Sequence, residues 1–367
     1  MPDPKPKYVF LLPWPLAPGG GVNNVILGLS RAMHGRYSPV VVVTGWNRPP
    51  SGQIWMNLLP FELPLRNVAG FVIGFLPRLV RLRAITRRAV AVNPHFAHTE
   101  ILPLVVLRKL RLCPKLILSV HGADMSDPLK ASGWKRALYT WIFSSADLVV
   151  ACSNALAATV RQVSPAANVV CAWNAALPPP EISGQRPMQS PYVVCVAAFV
   201  KKKGHDVLLQ AFLRIARERP ELRLVLIGGE GPERQAVVST IDTLGLAQVV
   251  DLMVNVPHDE VWWWVRHAEC LVLPSREEPF GIALLEAALV RTPVVATRVG
   301  GVPEFLTDGV HGLLCEPDRA DQIADAILAT LSDSVAAGKR TQAFYVRACE
   351  FTWDRTLERY RSEAGLP

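Results

Sequence analysis

Residues 278–286 read Glu-Pro-Phe-Gly-Ile-Ala-Leu-Leu-Glu and place a carboxylate on each side of a predicted helix start. We expect Glu278 in the loop before the helix and Glu286 about two turns inside it. The first N–H groups of a helix lack partners and attract anions. Two carboxylates flanking such a point suit a ligand with central phosphates and hydroxyls at both ends, as in a nucleotide sugar. Taken alone, the nine residues also fit a capped helix with incidental acids.

Short apolar runs alternate with helical patterns on both sides of this stretch. Such runs are typical of buried parallel strands, and their alternation with helices indicates right-handed crossovers. The prolines of residues 178–191 predict a linker between two halves. The predicted fold class is α/β, with two Rossmann-like domains whose parallel sheets face each other across a cleft. The predicted strands are Tyr8–Leu12, Val40–Val43, Leu116–Val120, Leu148–Cys152, Tyr192–Ala197, Leu222–Ile227, Val249–Met253, Cys270–Leu273 and Pro293–Ala296.

The composition narrows the class of partner. The chain has 367 residues and a formal charge of +8, which indicates an anionic partner such as a nucleotide phosphate or an acidic membrane. No nucleic-acid-binding module is found, so we expect no nucleic-acid partner. The seven cysteines form no C-x-x-C pair, and neither a signal-peptide core nor a membrane-spanning run is found, which favours a cytoplasmic protein. No Asp-x-Asp pair that could hold a divalent ion is present, so we expect no metal. We also expect no cofactor, since a nucleotide sugar would be a substrate.

Residues 71–92 combine five arginines with Leu, Val, Ile and Phe in a predicted helix from Phe71 to Val92. A basic amphipathic helix is typical of a segment that lies on an anionic bilayer. One interpretation is peripheral contact with the inner face of the cell membrane; the other is a domain helix with a solvated face. The arginines are Arg78, Arg81, Arg83, Arg87 and Arg88.

Five loops rich in glycine or charged residues follow predicted strands. Because ligands bind beyond the carboxyl ends of parallel strands, these loops are candidates for ligand binding. Glycines there let backbone N–H groups approach an anion, and a lysine beside a glycine is a natural diphosphate contact. Each loop alone also fits a tight turn, and the lysine run fits a solvated surface. The loops are Pro18–Asn24, His121–Asp124, Lys201–His205, Gly228–Pro232 and Gly300–Glu304.

In order and spacing, these elements resemble a family 4 retaining glycosyltransferase of the GT-B fold. The resemblance covers nearly the whole chain and is strongest from Tyr192 to about Leu331. Residues 274–288 resemble the family's E-x7-E element, Gly228–Pro232 its glycine loop and residues 300–312 the segment that follows the E-x7-E element.

The resemblance also implies a domain organisation. Residues 1–178 would form an N-terminal, acceptor-side Rossmann-like domain, followed by a linker at residues 179–191. Residues 192–348 would form the C-terminal, nucleotide-sugar-binding domain. Residues 349–367, which include the stretch from Trp353 to Tyr360, would form a helix that crosses back to the first domain.

For individual residues, the resemblance implies roles at the donor. The catalytic residues would be His121 and Glu278, beside the donor sugar, and Lys203, which would neutralise the diphosphate. Glu286 would bind the ribose hydroxyls. The other donor-binding residues would be Gly20, Gly21, Gly229, Phe280, Gly281 and Ile282.

The chain departs from the family pattern at three places. Ala198 stands where the family commonly has a phosphate-binding arginine, and its absence should weaken leaving-group stabilisation. Lys201 or Lys202 is a candidate replacement for that arginine. Ala175 replaces a frequent glycine, and Asn23 stands where a glutamate is frequent, so the acceptor side differs as well.

The expected function is retaining, metal-independent transfer of a sugar from a nucleotide diphosphate to a hydroxyl. The acceptor would be a sugar or a lipid-linked molecule, in polysaccharide, lipopolysaccharide or glycolipid assembly. The alternative is a degenerate, catalytically weak GT-B protein that binds a nucleotide or a partner. A sugar-nucleotide epimerase would need an acid–base set that is not found. A nicotinamide dehydrogenase is disfavoured because no strand-linked G-x-G-x-x-G is present.

Overall fold

The structure is a computed structural model that describes residues 5–14, 16, 20–43, 54–55, 77, 79–97, 101–182 and 184–367. Its internal contacts divide the chain into two compact units. The first unit comprises Met1–Ala17, Val22–Trp173 and Trp353–Pro367, and the second comprises Pro18–Gly21 and Asn174–Thr352. Each unit is built on one parallel sheet with helical connections.

The sheet of the first unit has seven parallel strands. They are β1 (Lys7–Leu12), β2 (Ser38–Val43), β3 (Ile54–Trp55), β4 (Ala89–Pro94), β5 (Lys115–Val120), β6 (Leu148–Ala151) and β7 (Val169–Cys171). Their order is β3-β2-β1-β4-β5-β6-β7. In β1, which pairs with β2 and β4, the five residues after Lys7 are all buried, as a strand covered on both faces requires.

The sheet of the second unit has six parallel strands. They are β8 (Tyr192–Val196), β9 (Arg223–Gly228), β10 (Val250–Val254), β11 (Cys270–Leu273), β12 (Val294–Thr297) and β13 (Leu313–Cys315). Their order is β10-β9-β8-β11-β12-β13. The strand order therefore reverses between β8 and β11, and the loops after β9, β8, β11 and β12 emerge side by side.

Helices connect the strands in both units. They are α1 (Gly21–Ala32), α2 (79–86), α3 (Leu102–Lys109), α4 (Ser126–Lys130), α5 (Gly133–Ser145), α6 (Asn154–Val163), α7 (His205–Glu218), α8 (Arg234–Thr243), α9 (His258–His267), α10 (Ile282–Leu289), α11 (Ala320–Ser332), α12 (Ser334–Ala348) and α13 (Trp353–Ala364). Short 3₁₀ turns cover Ala123–Met125, Lys201–Lys203 and Val302–Glu304.

The last helix, α13, is part of the first unit. The Trp353 ring lies directly against Gly28 of α1, where an added Cβ would come within 2.1 Å of it. The Tyr360 hydroxyl meets the Ser119 hydroxyl at 2.8 Å, and Thr356 donates to the Trp173 carbonyl at 2.7 Å. Glycine at position 28 is therefore required by side-chain packing.

The predicted fold class is confirmed: the chain is α/β, with two Rossmann-like parallel sheets. Each predicted strand overlaps an observed strand. The strands that were not predicted include β3, β7 and β13, which have two or three residues each. Runs this short carry no recognisable period.

The fourth unpredicted strand, β4, shows that the basic helix was predicted to extend too far. The prediction of a helix from Phe71 to Val92 is wrong at its C-terminal end, because α2 ends at residue 86. Arg88 adopts a φ of 65° in the turn, and the Ala-Val alternation that follows pairs with β1 and β5. Burial between two strands outweighs the helical pattern here. Arg78 lies outside the described residues, whereas the exposed arginines are Arg81, Arg83, Arg87 and Arg88.

Within the part of the chain that the structure describes, no helix has the length and apolar character needed to cross a bilayer.

Candidate active site

The reversal of strand order between β8 and β11 places two predicted site residues close together. Lys203 ends the 3₁₀ turn after β8, and Glu278 lies in the loop after β11. In open parallel sheets, the crevice at such a reversal is where ligands bind. The topology of the second unit therefore brings a cation and a carboxylate to one ligand-binding position.

Lys203 and Glu278 form an ion pair. The Lys203 Nζ lies 2.5 Å from the Glu278 Oε2, and the Ser275 hydroxyl donates to the same oxygen at 3.4 Å. The two side chains are 16% and 9% exposed. A pair so little exposed is held in a defined geometry, and it offers one cationic group and one acceptor to an incoming ligand.

Arg276 fixes the 3₁₀ turn Lys201–Lys203, called the lysine turn below, to the loop after β11. Its guanidinium binds the Asp206 carboxylate through two hydrogen bonds of 2.9 and 2.8 Å and the Asp318 carboxylate at 2.6 Å. It also donates to the Lys201 carbonyl at 2.8 Å. These ionic contacts raise the pKa of Arg276. Sequence reasoning missed this residue, although it lies inside the quoted E-x7-E region.

Gly204 closes the same junction from the other side. It adopts a φ of 68°, in the left-handed region, and an added Cβ would come within 2.1 Å of the Pro274 carbonyl oxygen. Any side chain here would push the lysine turn away from the loop that carries Glu278. The predicted Lys-Gly pattern therefore has a packing reason as well as a ligand-binding one.

The glycine loops after β9 and β12 pack against the same centre. An added Cβ at Gly228 would meet the Ala197 carbonyl at 2.2 Å, and one at Gly300 would meet the Glu278 carbonyl at 2.0 Å. The Gly301 N–H donates to that Glu278 carbonyl at 3.0 Å. Gly229, the predicted ligand contact, is exposed, and an added Cβ would lie in ordinary contact with the Asn255 Oδ1, at 3.9 Å.

The start of α10 follows directly. Gly281 precedes the helix with a φ of 102°, and Ile282 is its first residue. The Phe280 ring is buried against Phe305, with ring centroids 4.9 Å apart. The Phe280 side chain therefore belongs to the core, and a ligand contact at residue 280 stays a prediction about its backbone groups.

Glu286 lies in the second turn of α10 and is buried, with 8% of its surface exposed. Burial raises its pKa to about 8. His258, at the start of α9, places its Nε2 3.5 Å from the Glu286 Oε1 and accepts a hydrogen bond from the Trp262 indole at 3.1 Å. His258 and Trp262 were not predicted as site residues, since nothing in the sequence links them to position 286.

His121 belongs to the first unit, at the carboxyl end of β5. The Asp124 carboxylate accepts hydrogen bonds from the backbone N–H groups of His121 and Gly122, both at 2.9 Å. The His121 Nε2 lies 3.0 Å from the Nδ1 of His95, which follows β4. Burial lowers the pKa of His121 to about 4, so the ring is neutral at physiological pH. Asp124 thus orients His121 through its backbone, and sequence reasoning missed His95.

The glycines after β1 are placed at the start of α1. Gly20 has a φ of 82°, and Gly21 is the first residue of the helix. Both are exposed, with open space around them. Pro18 and Gly19 of the predicted loop lie outside the described residues.

Two family models cover most of the chain between them. Residues 19–175 match the model described as Glycosyltransferase Family 4, and residues 181–347 match the model described as Glycosyl transferases group 1. This chain belongs to glycosyltransferase family 4.

Individual relatives agree with this family assignment. D-inositol 3-phosphate glycosyltransferase of Arthrobacter sp. (strain FB24) is 35% identical over 167 residues, which are 44% of this chain and 40% of that protein. Glycogen synthase of Mycobacterium tuberculosis is 26% identical over 266 residues, 68% of this chain and 63% of that protein. The chain spans 38–49% of the length of the first five curated relatives it matches.

Solved structures match over nearly the whole chain. HepE of Anabaena, in complex with UDP and glucose, superposes with a TM-score of 0.78 at 18% identity and covers 98% of this chain and 99% of its own. Sucrose-phosphate synthase of Thermosynechococcus elongatus gives a TM-score of 0.77 at 21% identity and covers 98% of each chain. At these identities the likeness establishes the GT-B fold.

Proposed function

We propose that this family 4 chain transfers a sugar from a nucleotide diphosphate to a hydroxyl acceptor. The observation that carries the proposal is the Lys203–Glu278 ion pair at the strand reversal, beside the start of α10. A donor with a diphosphate between ribose and sugar presents an anion to Lys203 and hydroxyls to Glu278 and Glu286. The HepE structure, which holds UDP and glucose, supports this class of ligand by analogy.

Each residue has a proposed role at the donor. Lys203 neutralises the diphosphate, Glu278 and His121 contact the sugar, and Glu286 binds the ribose hydroxyls. Backbone groups supply the remaining contacts, which suits the buried Phe280 ring and the open space around Gly20 and Gly21. The backbone contacts would come from Gly20, Gly21, Gly229, Phe280, Gly281 and Ile282.

The proposed reaction retains the anomeric configuration and needs no metal ion. The bond between the anomeric carbon and the phosphate oxygen breaks, and the acceptor oxygen bonds to the same face of the sugar. The acceptor proton passes to the departing phosphate oxygen, whose charge Lys203 stabilises. The anomeric configuration of the product and turnover in the presence of EDTA test these two points.

A thermal-stability screen of nucleotide sugars, starting with UDP-glucose, identifies the donor. A ligand at 100 times its Kd should stabilise the folded state by about 2.7 kcal/mol. With that donor, Glu278→Gln should lower turnover by about a hundredfold or more while leaving unfolding cooperative. Glu277→Gln is the matched control, because Glu277 is exposed and should leave turnover unchanged.

Two results would contradict the proposal. Normal turnover in Glu278→Gln would overturn the site assignment. Donor binding by the wild type without transfer to water or any acceptor would favour a degenerate protein that binds nucleotides. The exposed Ala198, in the place of an arginine, is the observation behind that second candidate.

The lysine turn is proposed to replace the missing arginine. The side chains of Lys201 and Lys202 make no hydrogen bond to the described residues, while Arg276 fixes their backbone. Lys201→Ala/Lys202→Ala should therefore weaken donor binding about tenfold or more, since two cations near the diphosphate are lost. Unchanged donor affinity and turnover in this double variant, measured by calorimetry and kinetics, would refute the replacement.

We also propose that the acceptor is met at a membrane surface. In the first unit, the Arg83 guanidinium donates to the Leu112 carbonyl and ties α2 to the end of α3. Val80 of α2 and Leu110 and Leu112, which directly follow α3, are exposed apolar side chains. Arg81 and Arg83 of α2 are exposed as well. Apolar side chains mixed with cations suit an anionic bilayer.

A further inference from the structure

A chain of buried hydrogen bonds lies behind His121 in the first unit. His121 Nε2 lies 3.0 Å from His95 Nδ1, and His95 Nε2 lies 3.1 Å from Asn93 Oδ1. The Tyr8 hydroxyl reaches the same Asn93 oxygen at 3.1 Å. Tyr8, Asn93 and His95 are each fully buried. Polar groups in such a place are held in one arrangement, because an unpaired group would be costly.

The orientation of the Asn93 amide determines which atom donates and which accepts in each of these hydrogen bonds. Its Nδ2 lies 2.8 Å from the Ile117 carbonyl and 3.0 Å from the Ser119 hydroxyl. A carbonyl oxygen can only accept, so the Asn93 amide group must point its NH₂ towards Ile117. The Asn93 Oδ1 is then the acceptor on the other side, and the His95 Nε2 must carry the hydrogen that it receives.

The same reasoning passes from His95 to His121. Burial, with His121 as a second cause, lowers the pKa of His95 well below its usual value, so this ring is neutral. A neutral ring protonated at Nε2 has a bare Nδ1, which accepts the hydrogen of His121 Nε2. The His121 ring is neutral too, and its Nδ1 therefore carries a lone pair. This Nδ1 makes no hydrogen bond to the residues that the structure describes.

We infer that His95 is a positioning residue that holds His121 in its Nε2–H tautomer, so that the Nδ1 lone pair of His121 accepts a hydrogen bond from a hydroxyl of the donor sugar. The sugar contact rests on the proposed function, whereas the tautomer does not. His121 acts as an acceptor in this arrangement. The site selects a donor whose hydroxyl is free, and a deoxy or O-alkyl sugar lacks the hydrogen that His121 receives.

The tautomer is measured in the ligand-free chain with nitrogen-15-labelled histidine. A long-range proton–nitrogen correlation spectrum at neutral pH separates protonated from bare ring nitrogens, and His121→Asn assigns the signals by their loss. We expect His121 to be protonated at Nε2 only. In His95→Phe, which removes the acceptor and keeps an aromatic ring, the two His121 nitrogen shifts should move towards each other as both tautomers become populated.

Tyr8→Phe is the matched control, because it removes a hydrogen bond from the same chain but leaves the His95–Asn93 bond in place. Its His121 shifts should equal those of the wild type. With the donor found by the screen, His95→Phe should lower kcat/KM about tenfold, the equivalent of about 1.4 kcal/mol or one hydrogen bond, and Tyr8→Phe should not.

A wild-type His121 that is protonated at Nδ1, or charged, overturns the inference, as do unchanged His121 shifts in His95→Phe. If His95→Phe does not fold, the wild-type spectrum still decides. A chain with the Nε2–H tautomer that binds no nucleotide sugar would refute the proposed function and the sugar contact while leaving the tautomer assignment intact.

Discussion

Glu286 is a carboxyl group whose protonation is coupled to folding. Its pKa is about 8 in the folded chain because it is buried, against an ordinary value of 4.5. His258 faces it from α9 at 3.5 Å, and burial lowers the pKa of that imidazole as well. Between about pH 4.5 and 8, the folded state therefore keeps a proton that the unfolded state has lost.

The sign of the pH effect follows from this raised pKa. The contribution of Glu286 to the free energy of unfolding is greatest below its unfolded pKa and is lost as the pH rises towards 8. The glutamine of Glu286→Gln has no proton to lose. The free energy of unfolding of this variant, relative to that of the wild type, should therefore rise by about 2–3 kcal/mol between pH 6 and 8.5, at about 1.4 kcal/mol per pH unit.

Denaturant unfolding of both proteins at several pH values checks this expectation. Glu277→Gln, which replaces an exposed carboxylate, should show no such trend. A difference between Glu286→Gln and the wild type that stays constant from pH 6 to 8.5 would mean that the buried carboxyl is already ionised.

At the residue scale, the sequence predicted the site groups that stand in local patterns. Lys203 and Glu278 each follow an apolar run, and the topology brings them into contact. Two residues that position site groups were missed. His95, which contacts His121, lies 26 residues from it, and Arg276, which fixes the turn of Lys203 to the loop of Glu278, lies 70 residues from its partner Asp206. Contacts at such separations exist only after the sheet has formed, so no local sequence spacing predicts them.

At the element scale, α1 and α12 each contain a glycine, with opposite consequences for substitution. Alanine in place of a helical glycine normally stabilises by about 1 kcal/mol. Gly338 of α12 has nothing within 4 Å of an added Cβ, whereas Gly28 of α1 lies against the Trp353 ring. We expect Gly338→Ala to stabilise by up to about 1 kcal/mol and Gly28→Ala to destabilise by about 1–3 kcal/mol through overpacking.

Urea unfolding of the two variants measures these changes. Because the substitution is the same, helix propensity cancels and the difference reports the contact between α1 and α13. Equal shifts in the same direction would show that Trp353 does not pack against Gly28 in solution.

Strands and helices were predicted best where one pattern dominated. The apolar runs of β1 and β11 were read correctly, but β4 was joined to the preceding basic helix. Its Ala-Val-Ala-Val sequence carries too weak an apolar signal to be separated from the arginines before it. Pairing with β1 and β5 supplies the missing information, and that pairing is a property of the sheet.

At the scale of the whole molecule, the net charge of +8 bears on the membrane proposal. If the surface formed by α2 and the end of α3 docks on lipid, charge removed there should matter more than charge removed elsewhere. Arg81→Gln/Arg87→Gln should weaken binding to vesicles that contain phosphatidylserine by about 10- to 30-fold, at about 1 kcal/mol per cation.

Arg217→Gln/Lys339→Gln removes the same charge from exposed positions of the second unit and is the matched control. Vesicle sedimentation at low and at physiological salt measures both variants. Equal weakening by the two double variants would indicate nonspecific attraction by net charge and would refute a docking surface on the first unit.

The packing of α13 also sets an order of events during synthesis on the ribosome. Tyr360 meets Ser119 across 241 residues of chain, and all of β8–β13 is translated between them. The second unit can complete its sheet while the first still lacks the helix that covers Gly28. Contacts of such long sequence separation form slowly. The unit whose strands leave the ribosome first is therefore the last to complete its folding. Until α13 is added, the apolar surface around Gly28 that Trp353 covers is exposed and available to a chaperone.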